Sequence, residues 1–160
     1  MSASKPRRAV ERVRAALLAA GHPDTIAETS AGARTAADAA ATVDCEVAQI
    51  VKSLIFRAGD RPVLALVSGA NRVEVEKLAG ILGEPVVRAK PSWVREATGF
   101  TVGGVSPVGA PVQPITFLDA DLLVFDPLWA AAGSPEHLFR TSAAELVRLT
   151  GARVADLREE

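Results

Sequence analysis

A lysine stands at the centre of a run otherwise suited to burial, Ile50-Val51-Lys52-Ser53-Leu54-Ile55-Phe56. Its β-branched and aromatic residues predict a strand. Side chains alternate along a strand, so Lys52 shares its face with Ile50, Leu54 and Phe56, while Val51, Ser53 and Ile55 point the other way. Burying an unpaired ammonium costs several kcal/mol. This lysine must therefore snorkel to solvent, pair with a carboxylate, or face a cavity that receives an anionic group. After a turn at Gly59-Asp60-Arg61-Pro62, the apolar run Val63-Leu64-Ala65-Leu66-Val67 predicts a fully buried strand that pairs with the lysine strand as a hairpin. These two strands should be central in a sheet.

The remaining elements follow from spacing and caps. Val10, Val13 and Leu17 at helical intervals, ended by Gly21, predict an amino-terminal helix over about 6–20. A short strand is predicted at Thr25–Glu28, then a small-residue loop, Ser30-Ala31-Gly32-Ala33. Thr35-Ala36-Ala37-Asp38 and Ser142-Ala143-Ala144-Glu145 both read as capping boxes that open helices. Asn71, with Glu74 three residues on, predicts a helix over 72–82, and Ser92–Thr98 a short helix offering Trp93 and Val94 to a core. Strand-like runs occur at Pro85–Arg88, Ile115–Leu118, Leu122–Phe125 and Leu128–Ala132, with a last edge strand at 152–155. Strands and helices do not alternate regularly, which predicts an α+β fold with a mixed sheet.

With 160 residues, 49% hydrophobic and 23% charged, the chain is expected to form one domain over 1–160, its core over about 22–157. Eighteen basic against nineteen acidic residues leave a net charge of −1, so no global field attracts a polyanion. Lys5, Arg7, Arg8, Arg12 and Arg14 form a local basic segment, readable as a nucleic-acid contact or a solvated helix face. Five Phe, two Trp and no Tyr give few stacking platforms for single-stranded nucleic acid. The single cysteine, Cys45, excludes an internal disulfide and reads as a packed thiol. No constellation suggests a metal. With no apolar leader or long apolar span, a soluble, cytoplasmic protein is the expectation.

Chemistry is carried by the lysine together with Thr101-Val102-Gly103-Gly104-Val105-Ser106-Pro107-Val108-Gly109, a loop too rich in valine for a solvated linker. Glycines let backbone N–H groups approach an oxyanion or phosphate. The loop matches neither the phosphate-binding P-loop nor the dinucleotide fingerprint. Ser106 lacks a nucleophile-elbow setting, His137 reads equally as a surface residue, and Asp119, Asp121 and Asp126 read as solvated turn residues.

Taken in order, Arg34–Ala40, Gln49–Phe56, Leu66–Arg72, and Thr98–Phe100 with Gly103–Gly109 resemble the YbaK/EbsC/ProX family, free-standing proteins similar to the editing insertion domain of bacterial prolyl-tRNA synthetase. The resemblance runs from about Arg34 to Asp156. It implies a bent mixed sheet forming a partly open barrel with flanking helices, and an aminoacyl-tRNA deacylase that removes wrongly attached alanine or cysteine from tRNA for proline. It implies catalytic roles for Lys52, Gly103 and Gly104, and substrate contacts from Ser53, Ser68, Gly69, Asn71, Val105, Ser106 and Pro107. No cofactor is implied. Its partners would be mischarged aminoacyl-tRNA and prolyl-tRNA or another synthetase. The competing class is a non-catalytic module that binds a tRNA end or aminoacyl nucleotide as an adaptor to a synthetase.

Overall fold

A computed structural model describes residues 5–29 and 35–160, with side chains from residue 7 onward. The loop predicted at Ser30–Ala33, Arg34 and the side chain of Lys5 lie outside the described residues. Among the described residues, five helices flank one eight-stranded mixed sheet: α1 (Lys5–Ala19), β1 (Ile26–Glu28), α2 (Ala36–Val43), β2 (Ile50–Ala58), β3 (Arg61–Ser68), α3 (Val75–Leu82), β4 (Val87–Arg88), α4 (Pro91–Thr98), β5 (Ile115–Asp119), β6 (Leu128–Ala131), β7 (His137–Thr141), α5 (Ala143–Thr150) and β8 (Arg153–Ala155). The order across the sheet is β1-β7-β6-β2-β3-β5-β8, with β4 added beside β2, and the sheet does not close.

The predicted hairpin is the sheet's centre. β2 and β3 pair antiparallel from Val51↔Ser68 to Ala58↔Arg61. β3 is buried on both faces, as its unbroken apolar run requires. Leu64 and Leu66 join a core with Val51, α1 residues Val13 and Leu17, Phe100 and Leu146. Val63, Ala65 and Val67 enter a second core with Phe56, Leu78 of α3 and Leu157. A third, smaller cluster packs α2 onto Ile50 and Leu138, and Cys45 fills space at its margin.

The Thr35 capping box forms in full and the Ser142 box in its first half, the Glu145 carboxylate pairing with Arg148 instead. The Thr35 hydroxyl accepts from Asp38 N–H at 3.1 Å while the Asp38 carboxylate accepts from Thr35 N–H at 3.2 Å. Ser142 accepts from Glu145 N–H at 3.2 Å. Three expectations fail. Leu122–Phe125 is not a strand, because residues 120–124 form a 3₁₀ turn that leaves Val124 79% exposed. The third helix starts at Val75, capped at Glu74, because Asn71 spends its side chain on Asp121 at 2.8 Å. β7 was not expected, yet it pairs with both β1 and β6.

The amino-terminal basic segment is partly committed to structure. The Arg12 guanidinium lies 5.7 Å over the Phe100 ring and donates to Gly99 O at 2.8 Å. Arg14 pairs with Glu11 and, at 2.9 Å, with Asp24. Among the described residues, no helix is long and apolar enough to cross a membrane.

Candidate functional site

A cavity of about 480 Å³ opens along the edge of β2. Lys52 and Ser53 line it from the strand, Ala36 and Ala39 from α2, and Gly103 and Val105 from the glycine loop. Strand and loop, 50 residues apart in sequence, therefore meet as their chemistry suggested. Val51, Ile55, Val94 and Ala131 make its walls largely apolar. Lys52 and Arg88 are its charged lining residues, and no carboxylate or imidazole lines it among the described residues. Its charged lining is thus positive, which favours an anionic guest.

Lys52 meets the problem set by its strand position through geometry. Half-buried, it reaches past the end of β3, where its ammonium donates to Asn71 O. Burial pushes the Lys52 pKa below the ordinary lysine value, and the positive charge of Arg72 pushes the same way. No carboxylate neutralises it in the contacts of the described residues. A cation held by a carbonyl and desolvated beside a second cation gains from a phosphate more than a solvated lysine does.

Asn71 supports this arrangement from outside the cavity. Its side-chain amide donates to Asp121 Oδ2, which also accepts from Arg158 at 3.2 Å. The loop carbonyl that receives Lys52 is thereby tied to the carboxyl-terminal segment. Ser68 is buried and serves its own turn: its hydroxyl donates to Ala48 O at 2.8 Å and accepts from Ala70 N–H at 3.2 Å. Gly69 donates its N–H to Ile50 O at 2.6 Å, closing the hairpin register. Ser68, Gly69 and Asn71 therefore stand behind Lys52 and do not line the cavity.

The glycine loop divides similarly. Gly103, with φ of +93°, is exposed and lines the cavity. Gly104 is buried, and its N–H is committed to Thr101 O at 2.9 Å. Val105 contributes apolar wall. Ser106 accepts from Val108 N–H at 3.2 Å, and Pro107 O accepts from Gln113 at 3.0 Å, so both hold the loop's shape. Of the adjacent pair Gly103 and Gly104, Gly103 lines the cavity and Gly104 does not.

Other polar candidates are placed elsewhere. Asp119 is 1% exposed, so it is no solvated turn residue; its Oδ1 accepts from Leu157 N–H at 2.9 Å. His137 Nδ1 lies 2.6 Å from the buried Ser134 hydroxyl in the β6–β7 turn, outside this cavity. Arg88, which reasoning from the sequence overlooked, lines the cavity from β4. The only signal for it was the charge flanking a short strand.

Comparison with known proteins bears on this geometry. The family model for the aminoacyl-tRNA editing domain matches residues 30–149. The chain is 29% identical over 130 residues to the uncharacterized protein YwhH of Bacillus subtilis (strain 168), covering 81% of this chain and 83% of that protein. It is 37% identical over 113 residues to a proline–tRNA ligase of Oleidesulfovibrio alaskensis, covering 69% of this chain but 19% of the ligase. A crystal structure provisionally assigned as a trans-editing enzyme for prolyl tRNA synthetase superposes with a TM-score of 0.92 at 45% identity, covering 99% of this chain and 100% of that one.

Proposed function

Because this chain belongs to the aminoacyl-tRNA editing domain family, we propose that it is a free-standing deacylase that hydrolyses the ester of a mischarged tRNA. Alanyl- and cysteinyl-tRNA for proline are the substrates to test first. The observation that carries this reading is the placement of Lys52: a half-buried lysine that lines an apolar-walled cavity with Arg88 and, among the described residues, no lining acid. In this reading Lys52 holds the terminal phosphate of the tRNA as a point charge, with Arg88 nearby, and so sets the ester against the loop.

Water adds to the acyl carbon, the carbonyl oxygen becomes an oxyanion, and the carbon–oxygen bond to the ribose breaks. The ribose oxygen leaves as an alcohol carrying one proton of the water. The Gly103 N–H is the loop's candidate donor to the oxyanion. A single preorganised donor of this kind contributes about 2.7–4 kcal/mol to other hydrolases. Since no carboxylate or imidazole lines the cavity among the described residues, the attacking water loses its proton to the substrate, through the ribose hydroxyl. The small apolar walls suit a small amino acid, though one methylene discriminates by only about 1–3 kcal/mol. Selection of the tRNA itself then falls to contacts beyond the cavity, including a partner synthetase.

The test is loss of ester from tRNA for proline charged with alanine, cysteine or proline, followed for the native protein and for Lys52→Ala. Hydrolysis of at least one mischarged tRNA, reduced 100-fold or more in the variant, supports the reading. Binding of the charged tRNA without hydrolysis would instead support the adaptor function.

A further inference from the structure

β2 changes partners along one side, and the change leaves a break. β3 accompanies it from Val51 to Ala58. On the opposite side β6 pairs with it only at Ile50 and Val51, and β4 only at Phe56 and Arg57. Lys52–Ile55 therefore have no strand beside them on that side among the described residues. The phase of the ladder says which backbone groups face the break. Gly69 donates to Ile50 O, so the main-chain groups of Ile50, Lys52 and Leu54 turn toward β3, and those of Val51, Ser53 and Ile55 turn away. Val51 lies within the β6 pairing, and Ile55 borders the β4 pairing.

Ser53 is left at the centre of the break, with N–H and C=O both directed outward into the region of the cavity it lines. Its hydroxyl is also buried with no hydrogen-bond partner among the described residues. Buried polar groups are nearly always paired, and each unpaired one costs about 1–3 kcal/mol. The outward N–H and C=O of this one residue, with no strand beside them among the described residues, form a recognition surface, and their pattern is specific. A strand residue offers one donor and one acceptor side by side. An α-aminoacyl ester offers the complement, an ammonium donor and a carbonyl acceptor on neighbouring carbons. In an antiparallel ladder, two facing residues exchange both bonds in this way.

We infer that Ser53 binds the aminoacyl group of the substrate as a one-residue strand addition, its C=O accepting from the α-ammonium and its N–H donating to the ester carbonyl. The inference rests on the deacylase reading above and deepens it in two ways. The Ser53 N–H becomes an oxyanion donor supplied by the same strand that carries Lys52. The Ser53 C=O makes an N–H on the α-nitrogen a condition of binding, so the protein takes an aminoacyl group and rejects an acyl group of the same size that lacks the α-nitrogen. Selection falls on the backbone of the amino acid before its side chain.

The test uses amide-linked, non-hydrolysable adenosine 5′-phosphate probes bearing 3′-alanyl, 3′-propionyl or 3′-(N-acetylalanyl) groups, titrated into the ¹⁵N-labelled full chain. The alanyl probe is expected to shift the Ser53 amide resonance, the N-acetylalanyl probe, which keeps one N–H, to shift it too, and the propionyl probe to bind at least 10-fold more weakly. Lys52→Ala is expected to weaken the alanyl and propionyl probes by the same factor, since phosphate and ammonium are held separately. Propionyl binding within 2-fold of alanyl, an unmoved Ser53 amide, or no binding of the alanyl probe would each overturn the inference. The deacylation assay with charged tRNA decides separately whether the reading beneath it stands.

Discussion

Replacing Gly103 and Gly104 in turn by alanine separates shape from chemistry. A Cβ built on Gly104 falls 2.9 Å from Ser134 Cα, 3.1 Å from Ser134 N and 3.2 Å from Gly133 C, all main-chain atoms of the β6–β7 turn. No flexible side chain can swing aside. Nor can the turn retreat, because its far side abuts α1, where a Cβ on Gly133 would lie 2.7 Å from Ala9 C. Overpacking of a rigid site costs about 1–3 kcal/mol, and this one has no outlet, so Gly104→Ala should cost about 2–3 kcal/mol. For a chain of this size that lowers Tm by about 5–10 °C. Gly103 presents the reverse case: a Cβ there meets only Pro135 Cγ at 3.7 Å, an ordinary contact, and the cost is its φ of +93°. A left-handed non-glycine residue costs about 1–2 kcal/mol, or about 2–6 °C. Yet its methyl and altered amide sit at the cavity, so Gly103→Ala should lose at least 10-fold in deacylation under conditions where both variants are folded. Thermal unfolding at pH 7 and single-turnover deacylation give both readouts. A Gly104→Ala protein melting within 2 °C of native would refute the packing argument. Greater loss of activity in folded Gly104→Ala than in Gly103→Ala would refute the assignment of the cavity amide.

Four further outcomes follow from the site and its supports. Lys52→Met should abolish deacylation and raise stability by about 0.5–2 kcal/mol, as removal of a strained functional group often does; a fall in Tm would show that the ammonium contributes net stability. The sign of its pH dependence is fixed by the lowered folded pKa. Between that value and the unfolded value of about 10.4 the unfolded chain binds more protons, so native stability should rise with pH relative to Lys52→Met, and stay flat below the window; denaturant melts from pH 7 to 10.5 would show it. Asn71→Ala frees the loop carbonyl that holds Lys52, and should weaken binding of charged tRNA while leaving Lys52→Ala no further weakened; additive losses would show that the two act independently. Cys45 has its thiol pKa raised by burial and by Asp44 and Glu46, so iodoacetamide should alkylate it more slowly at pH 7.5 than a free cysteine peptide, and a bound probe should not change the rate.

The hairpin, the Thr35 cap and the inward lysine were legible because each depends on a local pattern: an apolar run, a four-residue box, a charge breaking a period of two. Other features depended on distant partners. Leu122–Phe125 is as apolar as a strand, but Asp119 receives Leu157 N–H from 38 residues away and residues 120–124 turn as a 3₁₀ helix. The β7 residues His137 and Arg140 carry little strand signal, and the strand exists because β1 and β6 lie on either side of it. Hydroxyls are ambiguous for a related reason: Ser68 and Ser106 accept from amides two residues on, a use that the sequence does not distinguish from ligand contact.

The break beside Ser53 is the extreme case, since it requires three registers at once: β3 to fix which groups turn outward, β6 to stop at Val51 and β4 to begin at Phe56. Sequence could place Lys52 and Ser53 on opposite faces of a strand. It could not show that the strand's edge is open where they meet, and that opening lets both faces contribute to one cavity. A ligand seated in the break has the Lys52 ammonium on one side of the sheet and the Ser53 hydroxyl on the other, with the strand's own amide and carbonyl between them. Charge and backbone readout thus come from adjacent residues of one rigid element, so a shift in register of one residue would exchange their faces and abolish the site without changing its composition.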